Sequence, residues 1–402
     1  MTTQKATHQQ TKQHNRDLVL RTIFNHDTIS RADIARVTNL TRTTVSDVVT
    51  VLLNEGLVEE VGFGSSQGGK SPILLSIAAD SRLLVGLSLG KDKFIGAVVN
   101  LRGEIKDIVE FPVEDSNGEQ ALQLVYQILD QLIKKRKKSI AGIGVGAPGL
   151  INTREGIVLT SVNLDWQDLP LAQLIQKRCG LPVSVLNDSQ ATAIGEYIYG
   201  GDYKEYKNMV VVNVKHGIGA GILINGRLFQ GDGGGAGEIG HVVVEKNGAL
   251  CRCGKHGCLE TIASVSAVAQ RVQTLAREGV KTSLPKNSNA ITLDVIEAAF
   301  KSGDSLTRQV VLNAGHYLGI SLANLIGTLN IQKIVLTGDM TRFGAEWFDA
   351  VQKAMQDAAL TRMAQDTKLE IGTLDFKACV LGASALLTLD GYSLLFNQSS
   401  DS

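Results

Sequence analysis

The sequence predicts an α/β protein with an N-terminal winged helix-turn-helix, and three observations carry that prediction. Between residues 18 and 53 apolar positions recur at helical spacing, with a cap-bearing turn before each of two short helices. From residue 83 onward short apolar strands alternate with longer amphipathic helical stretches. The chain has 402 residues, 42 glycines and only 5% aromatic residues, which suits many tight turns and exceeds one ordinary core, so two or three domains are expected.

The first helix follows a polar, His- and Gln-containing leader. Leu18, Val19, Leu20, Ile23 and Phe24 form its apolar face, and it should end near His26 and Asp27. Ser30 and Asp33, in an S-x-x-D arrangement, then open a second helix by satisfying free amides at its start, with Ile34, Ala35 and Val37 as the buried face. The turn Thr38-Asn39-Leu40 leads to a third helix capped by Thr41 and running to about Leu53. Val45, Val48, Val49 and Leu52 face inward, which leaves Arg42, Thr43, Thr44 and Ser46 at the end of a recognition helix that meets base edges.

Residues 57–61 and 73–77 read as the strands of a wing, with a glycine-rich loop at 62–72 as its tip. The expected DNA-facing set is Arg31, Thr41, Arg42, Thr43, Thr44, Ser46 and, on the wing, Lys70. Arg42 is the residue able to pair with a guanine edge, so it should matter most for specificity. A protein-docking module is the alternative use of such a head. Overall charge does not decide between them, because 40 basic and 40 acidic residues cancel. Residues 1–53 carry seven Lys or Arg against four Asp, a net of +3, so tight operator binding calls for two copies of the head.

Beyond the head, residues 83–89, 94–101 and 105–111 read as strands and 120–138 as a helix. Its Lys/Arg end at 134–138 complements the helix dipole rather than nucleic acid. Strands at 140–145 and 183–187 follow, and the pattern resumes with 209–214, 220–224, an Asn225-Gly226 hairpin turn and 334–336. No apolar run reaches the roughly 20 residues of a membrane-spanning helix. Five cysteines, an odd number, behind a start lacking secretory character lead to the expectation of a cytoplasmic protein without a disulfide framework.

Those cysteines are unevenly used. Cys251, Cys253 and Cys258 fall in one short loop with His241 upstream, the spacing of a structural Cys₃His zinc site, whereas Cys179 and Cys379 stand alone in apolar segments as small core residues. Around them the order G-E-x-G-H, then C-x-C-G-x-x-G-C-x-E, resembles the ROK family of repressors, open reading frames and sugar kinases. The resemblance runs from about Arg16 to Leu389. It implies the two-lobed actin-like, ribonuclease-H-like sugar-kinase fold behind the head, with residues 1–80 as the head, 81–200 plus 380–402 as one lobe and 201–379 as the other.

The resemblance also implies a sugar pocket between the lobes. Gly146-Ala147-Pro148-Gly149, Asn163-Leu164 with Trp166, and Asn187-Asp188 match the family's sugar-side segments, and Glu238, His241 and Glu260 complete the set. The implied sugar residues are Pro148, Gly149, Asn163, Asn187, Asp188, Glu238, His241 and Glu260. Carboxylates, an amide and an imidazole suit a ring of hydroxyls that each donate and accept. If His241 serves both metal and sugar, its two nitrogens divide the tasks.

The phosphate loops depart from the kinase pattern. Where family kinases read roughly D-x-G-G-T-K, this chain has Ser88-Leu89-Gly90-Lys91-Asp92-Lys93, and Lys215-His216-Gly217 stands at the second loop. Asp339 follows Gly338 where a second glycine is usual, placing a carboxylate near phosphate. The expectation is therefore a sugar-responsive repressor rather than an enzyme, a homodimer or homotetramer on operator DNA with a monosaccharide effector. A bifunctional sugar kinase with a DNA-binding head, and a scaffold regulated by a protein partner, are the alternatives.

Overall fold

The computed structural model describes residues 8–65, 71–114, 116–134, 136, 139–287 and 290–389. Lys70, the basic residues Lys135, Lys137 and Lys138, and the segment 390–402 lie outside the described residues.

The head consists of α1 (His8–Phe24), β1 (Ile29–Ser30), α2 (Arg31–Thr38), α3 (Arg42–Asn54), β2 (Val58–Phe63) and β3 (Ile73–Ile77), the three strands pairing in the order β1-β3-β2. Ser30 Oγ accepts the Asp33 amide at 3.2 Å and donates to the Asp33 carboxylate at 2.6 Å, so this cap closes on itself. Asn39 turns the chain in the left-handed region (φ 57°), where a short polar side chain costs little. Thr41 Oγ1 accepts the Thr44 amide at 3.1 Å and starts α3. Val37 departs from expectation: it is exposed, lying about 110° around the helix from the midpoint of the buried Ile34 and Ala35, past the edge of the buried face.

Two five-stranded sheets of matching order form the body. The first comprises β4 (Leu83–Leu89), β5 (Lys93–Asn100), β6 (Ile105–Pro112), β7 (Ile140–Ala147) and β11 (Val183–Asn187), in the order β11-β7-β4-β5-β6. It is covered by α4 (Gly118–Ile133), α5 (Leu171–Cys179) and α6 (Asp188–Tyr199), and a small sheet of β8 (Leu150–Asn152), β9 (Ile157–Ser161) and β10 (Trp166–Leu169) projects from it. Trp166 is buried in this lobe's core and donates its indole N–H to Gly118 O at 2.8 Å.

The second sheet, order β14-β13-β12-β15-β16, comprises β12 (Met209–Val214), β13 (Ile218–Ile224), β14 (Arg227–Phe229), β15 (Lys333–Thr337) and β16 (Lys368–Ile371). In each sheet an antiparallel three-strand meander is extended by two parallel strands, the duplicated arrangement of the actin-like fold. Around the second sheet lie α7 (Glu260–Ala263), α8 (Val265–Arg277), α9 (Leu293–Lys301), α10 (Ser305–Leu329), α11 (Ala345–Ala358) and α12 (Thr361–Asp366). The last helix, α13 (Lys377–Leu389), returns to the first lobe and packs on α6, β4 and β7.

Helix α10, at 25 residues, is long and apolar enough to cross a bilayer by length and composition, a segment the run-length reading passes over because polar residues interrupt it. Its Val311, Leu318 and Leu322 are instead buried in the second lobe's core with Trp347 of α11.

Candidate functional site

The cleft between the lobes has a volume of about 380 Å³ and collects all eight of the residues singled out by the sugar-pocket resemblance. Pro148 and Gly149 follow β7, Asn163 lies between β9 and β10, and Asn187 and Asp188 join β11 to α6. Glu238, His241 and Glu260 come from the second lobe. The glycines of G-E-x-G-H hold this segment against β13: Gly237 has φ 101°, and a Cβ there would meet Ala220 O at 1.9 Å. A side chain at Gly240 would meet Ile218 O at 2.2 Å, so the backbone approach that aims Glu238 and His241 into the cleft admits no larger residue.

Asn187 is fixed from both ends. Its Oδ1 accepts the amides of Ser189 at 2.9 Å and Gln190 at 3.2 Å, capping α6, while its Nδ2 donates to Gly149 O at 3.0 Å. Asn187 rather than Asp188 is therefore the helix cap, which leaves Asp188 to face the cleft. Burial raises the Asp188 carboxyl above its usual range, opposed by Lys215 and by hydrogen bonds from Ser189. Burial, with Asp188 and Glu260 nearby, pushes Glu238 up to about 7. Glu260 Oε2 accepts the Ile218 amide at 3.2 Å.

His241, Cys251, Cys253 and Cys258 place their donor atoms within 4.8 Å of one another. Cys253 Sγ and Cys258 Sγ are 3.6 Å apart, and Cys251 Sγ lies 3.5 Å from His241 Nδ1. A tetrahedron with metal–sulfur bonds of about 2.3 Å and a metal–nitrogen bond of about 2.0 Å has edges near 3.8 and 3.5 Å, so these four residues fit a tetrahedral metal ion. Burial raises the Cys251 thiol and pushes Cys258 up to about 12, a penalty that a bound cation reverses by stabilising thiolate. His241 presents Nδ1 to the cysteines and Nε2 toward Glu238, 3.9 Å from its Oε2. The two nitrogens are thus divided between the metal cluster and the cleft.

The cleft wall also holds residues outside the expected set, including Ser88, Lys91, Lys215, His216, Arg252 and Cys379. Asp92, from the turn after β4, and His216, from the turn after β12, meet across the lobes at 2.5 Å between Oδ2 and Nε2. His216 Nδ1 lies 3.2 Å from Ser266 Oγ, and the imidazole bond lowers the Asp92 carboxyl. Both residues lie in the loops that the sequence reading sets against the kinase pattern, but their meeting is invisible in a linear sequence. Cys379 is buried, its thiol pushed up to about 11 by burial.

On the head, Thr41, Arg42, Thr43 and Ser46 are exposed along the start of α3. Thr44 is half-buried, its hydroxyl 2.8 Å from that of Thr41. Arg31 donates to Glu60 Oε1 at 3.0 Å, tying α2 to the wing, so a phosphate contact would compete with this pair.

A winged head joined to a two-lobed body, with a polar interlobe cleft beside four residues able to hold a metal ion, defines a DNA-binding regulator built on the sugar-kinase fold. The chain belongs to the ROK family, whose pattern matches residues 84–389, and residues 16–59 match winged helix-turn-helix DNA-binding domains. It is 34% identical to a putative xylose repressor from Caldicellulosiruptor sp. (strain Rt8B.4), over 94% of this chain and 96% of the relative. A glucokinase from Halalkalibacterium halodurans is 35% identical, over 76% of this chain and 95% of the relative. The crystal structure of a ROK family transcriptional regulator, a homolog of the Escherichia coli MLC protein, superposes with a TM-score of 0.82 at 28% identity, covering 93% of this chain and 95% of that one.

Proposed function

We propose that this protein is a sugar-responsive DNA-binding transcriptional repressor in which a monosaccharide bound between the lobes alters operator affinity. The observation that carries the reading is the convergence of Asn163, Asn187, Asp188, Glu238, His241 and Glu260 on one cleft in a chain that also presents an exposed recognition-helix face. Likeness to a repressor along both head and body supports it, since the kinase relative matches a smaller share of the chain. Zinc is the metal we assign to the cysteine cluster, in a structural role, because all four donors are protein side chains and no position is left for water. Two or four copies would act together so that paired heads read two half-sites, in the cytoplasm.

Loss of phosphoryl transfer is part of the same proposal. Asp92 and His216 bond each other between the two loops that the family resemblance assigns to nucleotide phosphates, and neither supplies the backbone-lined glycine loop such phosphates require. A second reading is a sugar kinase that also binds DNA, favoured by the enclosed Asp188 carboxylate, which is suited to act as a base toward a sugar hydroxyl. Regulation through a protein partner is the remaining alternative.

For a response of ordinary size the sugar must prefer the weakly binding state by about 1–3 kcal/mol, and operator must then weaken sugar binding reciprocally. Fluorescence anisotropy on DNA upstream of the protein's own gene, at stated salt with a monosaccharide panel, tests this. Release by one sugar is the expected result. Operator binding unchanged by every sugar refutes induction, and sugar-dependent ADP production abolished by Asp188→Asn would establish the kinase.

A further inference from the structure

Arg252 stands between two of the metal-cluster cysteines, where Cys251 N bonds Lys255 O at 2.7 Å and Gly254 N bonds Cys251 O at 2.9 Å. This pinned turn projects the guanidinium into the interlobe cleft. There its Nη1 donates to Asn163 Oδ1 of the first lobe and its Nη2 to Glu260 Oε1 of the second at 3.2 Å. One side chain therefore spans the cleft and saturates two of the acceptors that a polyol would need. The Arg252 side chain is 45% exposed whereas Glu260 is 12% exposed, so the arginine can leave for solvent while the carboxylate cannot.

We propose that Arg252 is a gate on the ligand site. Its guanidinium occupies the acceptors at Asn163 and Glu260 that sugar hydroxyls would use, and an entering sugar displaces it. The inference rests on the receptor reading and adds the residue that sets the threshold of its response. The arrangement has a physical rationale: Glu260 is largely buried in a cleft shared with Asp188 and Glu238, and an internal cation partners its carboxylate until hydroxyl donors replace it. Holding the two lobes together through Asn163 and Glu260 also makes ligand entry and lobe rearrangement one event.

Calorimetric titration of the full-length, metal-loaded protein with D-xylose, D-glucose and N-acetyl-D-glucosamine tests the gate, comparing wild type with Arg252→Ala and Arg252→Lys. Removing an internal competitor whose pairs are partly solvent-screened should tighten binding of the responsive sugar roughly three- to tenfold in the alanine variant. Lysine lacks the planar fork that holds both acceptors, so it should fall between alanine and wild type. Metal content is measured in each, and the lysine variant decides if the alanine variant loses metal. Wild type that binds a sugar while metal-replete variants bind it equally or more weakly overturns the gate alone. Wild type that binds none of the three overturns the receptor reading and the gate with it.

Discussion

Sugar binding should depend on the metal cluster even though the metal would not need to touch the sugar. The perturbation is Cys258→Ser or exhaustive chelation, which removes the tie between Cys258 and His241, 17 positions apart in the chain. Closing a flexible loop of that length costs on the order of (3/2)RT ln 17, about 2.5 kcal/mol, and the metal meets this cost before ligand arrives. Without it, sugar binding must order the loop that begins at His241 and carries Arg252. Two backbone bonds, Val244 N to Gly257 O at 2.8 Å and Leu259 N to Val242 O at 2.9 Å, retain part of that order, so the figure is an upper bound. The expected loss of affinity runs from a few-fold to roughly 60-fold, the latter being 2.5 kcal/mol at about 1.4 kcal/mol per decade. Calorimetry on holo and metal-free protein, with metal content measured on the same samples, gives the answer. Metal-free protein binding the sugar within twofold of the holo form refutes the loop-ordering argument.

Three further predictions concern the head and the cleft. Thr41→Ala removes the cap on α3 and should destabilise the head by about 1 kcal/mol. Thermal melting followed by head-specific probes should register it together with weaker operator binding. Arg42→Ala should cost about 1–3 kcal/mol of operator affinity and relax preference at one base pair, whereas a uniform loss across base substitutions would assign Arg42 to phosphate instead. For Asp188, burial raises the folded-state value above the ordinary 3.8, so its contribution to stability is complete below that value and is lost as pH rises through the higher folded one. Asp188→Asn should therefore raise the melting temperature at pH 8 and much less at pH 4, while weakening sugar binding; an equal gain at both pH values would contradict the desolvation argument.

The parts legible in the sequence are those written in local periodicity. Helical spacing in Leu18 to Phe24 and the caps at Ser30 and Thr41 locate the head helices, because a helix face and its start are decided within a few residues. Boundaries are less legible: the helix read at 120–138 runs Gly118–Ile133, since nothing in its polar end marks where hydrogen bonding ceases. The two-residue strand β1 and the small β8–β10 sheet were not read, being too short for a period to register. In the cleft, residues from 148 to 260 were gathered by family resemblance, not by spacing. In the sequence alone Arg252 has no assigned role, and Asp92 and His216 figure only as parts of loops that depart from the kinase pattern. Their roles in bridging the lobes depend on contacts 89 and 124 positions apart in the chain, which no local pattern encodes.

The join between head and body constrains how any signal leaves the cleft. Val19, Leu20, Ile23, Leu52 and Leu75 of the head share one core with Leu84, Leu101, Ala141 and Leu387 of the first lobe. Arg102, in the turn after β5, seals that join: its guanidinium donates to Phe24 O at 2.8 Å, His26 O at 3.0 Å and Ser76 Oγ at 3.1 Å. Turning the head on this lobe would expose part of the shared core and break three hydrogen bonds from a charged donor, each worth about 1.5–3 kcal/mol. A coupling of about 1–3 kcal/mol between sugar and operator cannot offset that. Within the repressor reading, the head and first lobe therefore move as one body, and the moving part is the second lobe, which carries Glu238, the metal loop and Arg252. Closing the cleft then changes nothing at a single head. If the protein acts as paired copies, as proposed, closure changes the separation of their heads only where the copies are joined through their second lobes or across the cleft.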